Sequence, residues 1–272
     1  MSVSAFNQYL RCPLGFLYEY VLRVPSIESE AAVYGTSVHQ VLERTFRKMQ
    51  EDPNQQWPEI NWLVGQFERE LNRRRGFLSK ESYQYRLDMG REQLPLYYAQ
   101  RQKEWVKESR QEVRVLHAEV EGVPLKGVID KIEFLQPQAV RVVDYKTGKT
   151  DPKKVRRPNR GSSGGDYWRQ LVFYQLLLAH SNYQHLELLG GRIDYVDRDI
   201  ETGSFAMEDA DIHSGDRKWL TERIVQVYAG IQNQDFYEGC GKPSCVWCQF
   251  ANVVHPSESL VNEEREALDD PL

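Results

Sequence analysis

The feature that most constrains this chain is a predicted β-hairpin that carries two acids and a lysine. Two runs rich in valine and isoleucine, residues 127–134 and 140–148, flank a short turn around Pro137, which is a strand–turn–strand pattern. Symmetric closure of the turn on Pro137 places Asp130 directly opposite Asp144. Lys146 shares the face of Asp144, because side chains two residues apart on a strand point the same way.

Two carboxylates in opposed positions need a compensating cation. Directly opposed side chains lie about 4.5–5.5 Å apart at Cβ, and like charges there destabilise the sheet. A divalent metal ion with oxygen ligands would relieve the repulsion, and Lys146 follows one step further along the strand. The alternative is a solvent-facing strand with scattered charge, but aspartate is disfavoured inside strands. We therefore expect a metal site on this hairpin.

A further strand is predicted before the hairpin, because the apolar residues alternate from residue 112 onward. Residues 121–124 form a predicted turn between this strand and the hairpin, so three sequential antiparallel strands are expected. We expect Glu119 to fall near Asp130 on the neighbouring strand, where it could extend the acidic cluster as an accessory residue. The alternative is that Glu119 is an exposed bystander.

Helical periodicity dominates the remaining chain. A helix over residues 4–24 is expected to break at Pro13, and a second is expected to open at Thr36 or Ser37. Leu186 to Tyr195 forms a predicted fourth strand. That second helix is predicted over residues 36–50, and the other predicted helices cover residues 59–75, 80–109, 166–181 and 215–233.

Composition sets limits on compartment and partners. The 272 residues carry a net charge of −5, which does not indicate a nucleic-acid binder, although local charge decides partner choice. No run of about 18 apolar residues predicts a membrane span, and no signal peptide is evident. We expect a cytoplasmic protein without a membrane partner, in which the four cysteines are metal ligands or buried thiols rather than disulfides.

A basic, glycine- and serine-rich loop is expected over residues 147–165, directly after Lys146. It is either a surface loop that favours solubility or a positive flap that contacts phosphates, and its position favours the flap. The predicted DNA-binding residues are Lys149, Lys153, Lys154, Arg156, Arg157 and Arg160.

Five short motifs follow one another along the chain. They are Tyr9-Leu10-Arg11-Cys12-Pro13, Tyr34-Gly35-Thr36-Ser37-Val38-His39, Gly127-Val128-Ile129-Asp130, Val143-Asp144-Tyr145-Lys146-Thr147-Gly148 and Gln170-Leu171-Val172-Phe173-Tyr174. In these motifs and their order the chain resembles the PD-(D/E)XK nuclease superfamily, and most closely the RecB/AddB-type nuclease domains, including those at the C-termini of UvrD/Rep-like DNA helicases. The resemblance implies an α+β fold: a restriction-endonuclease-like core with a mixed central sheet flanked by helices, and an N-terminal helical region.

The resemblance also implies a function. It indicates a Mg²⁺- or Mn²⁺-dependent DNA nuclease, an exonuclease in recombination or repair that works with a helicase, either fused to it or as a separate subunit. Residues 1–272 contain no Walker-type phosphate loop, so this chain carries no ATP motor of its own. The alternative function is a catalytically silent nuclease-like module that binds DNA or acts as a scaffold.

Site residues follow from the same resemblance. His39, Asp130, Asp144 and Lys146 match the catalytic positions. The metal ligands would be His39 and both aspartates, with the carbonyl of Tyr145. Gln170 and Tyr174 match the accessory motif beside the active site.

The cysteines are placed at the two ends of the chain. The resemblance implies that Cys12, Cys240, Cys245 and Cys248 bind a four-iron, four-sulfur cluster. The usual third thiol after Cys248 is missing, however, and Cys240 comes early instead. The alternatives are a zinc site with four cysteine ligands or reduced thiols that bind nothing.

The predicted domain organisation is a single nuclease domain over residues 1–250. Its parts are a mostly helical region (1–110), the catalytic sheet (111–200), and a closing helix with the cysteine loop (201–250). Residues 251–272 are expected to form an acidic, flexible tail, because they carry many acids and no periodic apolar pattern.

Overall fold

A five-stranded mixed sheet is the centre of the fold. The computed structural model describes residues 1–26, 28–159, 162–199 and 202–254. The strands, which lie in the sheet in chain order, are β1 (Ser109–Val120), β2 (Val123–Phe134), β3 (Ala139–Lys146), β4 (Glu187–Tyr195) and β5 (Met207–Ala210). The β3–β4 pair is parallel, and the other three pairs are antiparallel. Together with the helices this is an α+β fold, as predicted.

Helices account for most of the other described residues. Their bounds are α1 (Val3–Arg11), α2 (Pro13–Phe16), α3 (Glu30–Glu51), α4 (Ile60–Arg73), α5 (Lys80–Arg101), α6 (Asp166–Ala179), α7 (Ser214–Gln232) and α8 (Val246–Val254), with a π-helical turn at Leu17–Val21 and 3₁₀ turns at Arg75–Phe77 and Pro152–Val155. The predicted break at Pro13 is confirmed, because α1 ends at Arg11 and Pro13 opens α2.

The chain divides into two compact units. One contains Met1–Val3 and Ser26–Glu222, and the other contains Ser4–Pro25 and the chain from Arg223 onward. The organisation of residues 1–250 as one nuclease domain stays a prediction. Most of the expected acidic tail, residues 255–272, lies outside the described residues.

Helix α3 begins earlier than the sequence suggested. The prediction that Thr36 or Ser37 caps it is wrong. Ser29 is the cap, because its hydroxyl accepts a hydrogen bond of 3.2 Å from the N–H of Ala32. The Ser37 hydroxyl donates instead to the Val33 carbonyl inside the helix. The helix therefore gains about two turns, which lie beside the site described below.

Helices α3, α4 and α5 pack on one side of the sheet around a shared apolar core. Val38, Leu42 and Phe46 of α3 are fully buried, and Val143 and Tyr145 of β3 belong to the same cluster. Further members include Met49, Phe67, Leu71, Leu94, Tyr97 and Trp105. The core thus holds β3 from the side of these helices.

Helix α6 approaches the sheet closely at two glycines. A Cβ at Gly127 of β2 would come within 2.7 Å of Leu177, and one at Gly191 of β4 within 2.9 Å of Leu171. These distances are below van der Waals contact, so only glycine fits beneath the helix without a rearrangement. The helix that joins β3 to β4 is therefore held tightly against the strands.

A buried ion network stabilises the hairpin register. The fully buried Lys131 lies 2.7 Å from Glu133, and Glu133 lies 2.6 Å from Arg141 on the facing strand. Burying these charges is tolerable only while they stay paired. A one-residue slip would separate Glu133 from Arg141, so the network favours the register that brings Asp130 across from Asp144.

The contact between α4 and α5 yields a stability prediction. A Cβ at Gly90 of α5 would lie 2.1 Å from the ring of the buried Phe67. Gly90→Ala should therefore lower the free energy of unfolding by about 1–3 kcal/mol through overpacking, although alanine favours helix by about 1 kcal/mol. Gly65→Ala on α4 is the matched control, since its nearest contact would be the Arg69 side chain at 3.9 Å. Urea unfolding should show destabilisation for Gly90→Ala and slight stabilisation for Gly65→Ala, and equal effects would contradict the packing.

Candidate functional site

The hairpin has the register that the turn at Pro137 predicted. Lys131 pairs with Val143 in the antiparallel ladder, so Asp130 and Asp144 form the next position outward. The N–H groups of Leu135 and Gln136 close the turn on the carbonyl of Ala139. Beyond the Lys131–Val143 pair, the Tyr145 N–H donates to Asp130 Oδ2 at 3.0 Å. The two acids thus approach each other at the end of the hairpin.

Asp144 is held by hydrogen bonds from α6 and by an ion pair with Lys146. Its Oδ1 accepts from Gln170 Nε2 at 2.7 Å and from the Tyr174 hydroxyl at 2.9 Å, and its Oδ2 lies 2.6 Å from Lys146 Nζ. Lys146 also donates to Gln170 Oε1 at 2.9 Å. The carboxylate is only 1% exposed, so these partners offset the cost of burying its charge.

His39 reaches the hairpin from α3. Its Nε2 donates to the Tyr145 carbonyl at 3.0 Å, and its Nδ1 lies 3.4 Å from Asp130 Oδ2. Burial lowers the pKa of His39 and outweighs the opposing pull of Asp144, so the imidazole is neutral. With the proton on Nε2, Nδ1 presents a lone pair to a carboxylate oxygen. Two acceptors that face each other mark a place for a cation.

Glu119 does not lie near Asp130, so that expectation is wrong. Glu119 pairs with Pro124, and six residues along β2 separate Pro124 from Asp130, a distance of about 20 Å at ~3.3 Å per residue. Glu112 takes the position instead, because its neighbours Gln111 and Val113 pair with Lys131 and Ile129.

Glu112 is the site residue that sequence reasoning missed. The tight turn after Val120 would, by simple counting, place Val113 across from Asp130. The register shifts by one residue between Val115 and Ala118, which moves Glu112 into the position. Counting residue pairs back from the turn would have placed the region around Val113 beside Asp130. It would not have revealed the register shift that selects Glu112.

The environment of Glu112 is strained and electrostatically unfavourable. Its φ of 49° lies in the left-handed region, which costs about 1–3 kcal/mol for a residue other than glycine. Burial, together with the nearby charge of Asp130, raises the pKa of Glu112 to about 7. Burial and then the charge of Asp144 also raise the pKa of Asp130. Strain and repulsion of this kind concentrate at functional sites.

These side chains open onto a groove between α3 and the hairpin. His39, Glu112 and Asp130 line it, together with Gly35, Thr36 and Thr147. Arg47 and Arg114 also line the groove. The groove therefore has an acidic centre with arginines beside it, an arrangement that suits a metal ion and an anionic ligand.

Asp197 was also missed by sequence reasoning, and it connects two of the motifs. It follows β4, where it accepts from the Gly148 N–H at 2.6 Å and from the Tyr34 hydroxyl at 3.3 Å. Gly148 has a φ of +103°, a conformation that side-chain-bearing residues rarely adopt. These two hydrogen bonds to the Asp197 carboxylate form a clamp that fixes the path of the chain where it leaves β3.

The basic loop is only partly open to solvent partners. Lys154 donates to the Tyr167 hydroxyl at 3.2 Å, and both Lys146 and Lys154 lie against the Tyr167 ring. Arg157 lies 3.1 Å from Asp216 and also donates to the Asp211 carbonyl. Lys149, Lys153 and Arg156 are exposed, and Arg160 lies outside the described residues.

The donor set fits a hard divalent cation. One atom each from His39, Glu112 and Asp130 lie within 4.8 Å of one another. Carboxylate oxygens suit Mg²⁺ and Mn²⁺, and the neutral imidazole adds a nitrogen ligand that Mn²⁺ accepts readily. The raised pKa values of Glu112 and Asp130 also favour a cation site, since a cation between the two carboxyl groups would stabilise their ionised forms.

A second group of ligand-type side chains lies in the unit formed by Ser4–Pro25 and the chain from Arg223 onward. Sγ of Cys248 lies 3.8 Å from Sγ of Cys12 and 3.8 Å from Sγ of Cys240. With Cys245, all four sulfur atoms lie within 4.8 Å of one another, and all four thiols are free. The sequence thus identified a real four-cysteine group that could bind zinc or an iron–sulfur cluster.

Comparison with known proteins establishes the family. The PD-(D/E)XK nuclease superfamily matches residues 1–253, and the chain belongs to it. Membership implies a nuclease that hydrolyses phosphodiester bonds, binds DNA and uses divalent metal ions. The predicted restriction-endonuclease-like fold is confirmed.

Other comparisons add little to this. A solved structure described as the crystal structure of SSO0001 is similar at 12% identity with a TM-score of 0.33, over 78% of this chain and 81% of that chain. No curated protein matches the sequence. Within the described residues, no helix is long and apolar enough to cross a membrane.

The electrostatic coupling between Glu112 and Asp130 can be measured directly. In metal-free protein, Asp130→Asn should lower the pKa of Glu112 below about 7, because it removes a repelling negative charge while burial is unchanged. Carboxyl-carbon NMR titration of labelled glutamate would report the shift. Glu119→Gln is the control and should leave the pKa of Glu112 where it is. An unchanged Glu112 titration in Asp130→Asn would contradict the geometry.

Proposed function

We propose that the chain is a Mg²⁺- or Mn²⁺-dependent deoxyribonuclease, and that His39, Asp130, Asp144 and Lys146 are its catalytic residues. The observation that carries the proposal is the approach of a buried acid–lysine pair on β3 to an acid on β2 and a neutral histidine on α3. The four groups come from three elements and lie close together, which a merely solvated strand would not require.

The metal ligands we propose are His39, Asp130 and Asp144, with Glu112 as an additional acid. The Tyr145 carbonyl accepts from His39 and keeps a second lone pair for a ligand. When bound, the metal ion supplies Lewis-acid stabilisation of phosphate charge and a more acidic water molecule. The protein's part is to hold these oxygen and nitrogen atoms at the mouth of the groove.

Lys146 acts as a cation in this arrangement. Burial alone would lower its pKa, but the charges of Asp144 and Asp130 raise it above the usual value. An ammonium group can donate a hydrogen bond to an attacking water molecule and a second to a phosphate oxygen. We propose that Lys146 orients the water and neutralises the charge that develops on the phosphate.

Gln170 and Tyr174 act as positioning residues. The Gln170 amide contacts Lys146 through Oε1 and Asp144 through Nε2, and Tyr174 contacts the same Asp144 oxygen. Both side chains come from α6, one turn apart on the same face. They hold Asp144 Oδ1, which leaves Oδ2 and the Lys146 ammonium as the groups that face a ligand.

The finer role rests on the motif resemblance to RecB/AddB-type domains. We propose exonucleolytic cleavage of DNA in recombination or repair, together with a helicase that supplies strand separation. The exposed Lys149, Lys153 and Arg156 would contact backbone phosphates. We also propose a cytoplasmic location, because four cysteines without a disulfide suit a reducing compartment.

Substitution of the lysine tests the proposed chemistry. Lys146→Ala should reduce metal-dependent cleavage of end-labelled DNA by about 10²–10⁴-fold, the usual range for a group that assists proton transfer or stabilises charge. Lys103→Ala, at an exposed turn after α5, is the charge-matched control. DNA affinity should be measured for both variants by fluorescence anisotropy.

The possible results separate the two functions. Loss of cleavage with retained DNA affinity in Lys146→Ala, and normal cleavage in Lys103→Ala, would support the nuclease. Tight DNA binding by the wild-type protein without any cleavage in Mg²⁺ or Mn²⁺ would favour the catalytically silent binding module instead. Identical cleavage by wild type and Lys146→Ala would contradict the catalytic assignment.

The salt dependence of DNA binding tests the basic loop. Each phosphate contact contributes about 0.7–0.9 to the slope of log affinity against log salt. In the double variant Lys149→Ala/Lys153→Ala, the magnitude of this slope should therefore fall by up to about 1.4–1.8, which corresponds to two lost phosphate contacts. Arg157→Ala is the control, because its guanidinium is engaged by Asp216, and its slope should stay close to the wild-type value. A double variant with an unchanged slope would exclude these lysines from the interface.

A further inference from the structure

We propose that Cys12, Cys240, Cys245 and Cys248 hold one structural zinc ion rather than an iron–sulfur cluster. The four residues belong to one compact unit, formed by Ser4–Pro25 and the chain from Arg223 onward. The nuclease site lies in the other unit. The proposal therefore stands or falls independently of the proposed nuclease function.

The spacing of the sulfur atoms matches a single tetrahedral ion. Four thiolates at a Zn–S distance of about 2.3 Å define a tetrahedron with edges of ~3.8 Å. The Sγ–Sγ distances from Cys12 to Cys248 and from Cys240 to Cys248 are both 3.8 Å. The remaining sulfur separations stay within 4.8 Å. One ion at the centre would contact all four sulfur atoms with little movement.

An iron–sulfur cluster fits the same group poorly. In a four-iron cluster each thiolate binds a different iron atom, so the thiolates point away from one another and lie farther apart than around one ion. Four sulfur atoms within 4.8 Å leave no room for four irons and four sulfides between them. The cysteine spacing also differs from the usual iron–sulfur pattern. That pattern places a cysteine after Cys248, whereas in this chain the corresponding thiol comes before it, at Cys240.

Backbone donors around the sulfurs favour bound thiolates. The Gly15 N–H donates to Cys12 Sγ at 3.3 Å, and Cys12 caps the N-terminus of α2. Cys245 directly precedes α8, where the helix dipole favours a negative charge. Such outer contacts are what orient and tune metal-binding thiolates.

The ion would connect two distant chain segments. Cys12 lies between α1 and α2, whereas the other three ligands lie in the segment that leads into and begins α8. The Trp247 indole N–H donates to Glu19 at 2.6 Å, and its ring stacks on Tyr18 at 5.3 Å. Four protein ligands leave no open coordination position, which is the arrangement of a structural zinc site.

Metal analysis of the whole chain tests the proposal. Protein purified without oxygen should be colourless and contain about one zinc per chain, as for a closed four-cysteine site, with no iron and no acid-labile sulfide. Cobalt substituted for zinc should give the thiolate-to-cobalt charge-transfer absorption and the intense visible bands of a tetrahedral four-sulfur site. This spectrum reports the ligand set in the wild-type protein, without any substitution that could disturb folding.

Variants identify the ligand that departs from the usual pattern. Cys240→Ser should lose bound zinc and the four-sulfur cobalt spectrum. Lys242→Ala, an exposed change in the same loop, should keep both. Brown protein with iron and sulfide, a single bound iron, or no metal after zinc is supplied during expression and reconstitution would each overturn the proposal. Lys146→Ala should retain its zinc, so the failure of the nuclease hypothesis would be visible separately.

Discussion

The buried ion pair between Asp144 and Lys146 is the interaction on which the nuclease unit depends. A carboxylate that is 1% exposed is tolerable only with partners for each oxygen. Lys146 supplies the charge, and Gln170 and Tyr174 supply the remaining hydrogen bonds. The pair lies at the end of the central strand, so the strand and the helix behind it must meet there.

Close packing makes these hydrogen bonds geometrically possible. Helix α6 can bring Gln170 and Tyr174 to Asp144 because Gly127 and Gly191 leave space beneath Leu177 and Leu171. The register of the hairpin is held by the buried Glu133 and its partners. The site is thus assembled from rigid, buried elements rather than from loops, which suits chemistry that depends on distances of a few tenths of an ångström.

Much of the fold was readable from the sequence, and the failures have physical causes. The hairpin, the position of Asp130 and the α6 face were predictable because strand and helix periods are regular and the turn is short. The expectation for Glu119 failed because β1 is long, and pairing from its turn already places Glu119 about six residues away from Asp130. The one-residue register shift that brings Glu112 rather than Val113 to Asp130 leaves no sequence signal. The start of α3 was misplaced because two good capping residues compete, and only the folded chain selects Ser29. Neither the four-residue β5 nor the clamp at Asp197 has a local pattern, since both depend on long-range contacts.

The clamp at Asp197 has an evolutionary consequence. One carboxylate holds the N–H of Gly148 and the hydroxyl of Tyr34, so three positions far apart in the chain share one structural constraint. A lineage that loses the tyrosine leaves a buried carboxyl group short of a partner, and one that loses the glycine changes the chain path that the carboxyl group serves. Replacements at these three positions should therefore arise together among related nucleases. Such a correlated set would mark the contact between the motif that contains Tyr34 and the end of the central strand.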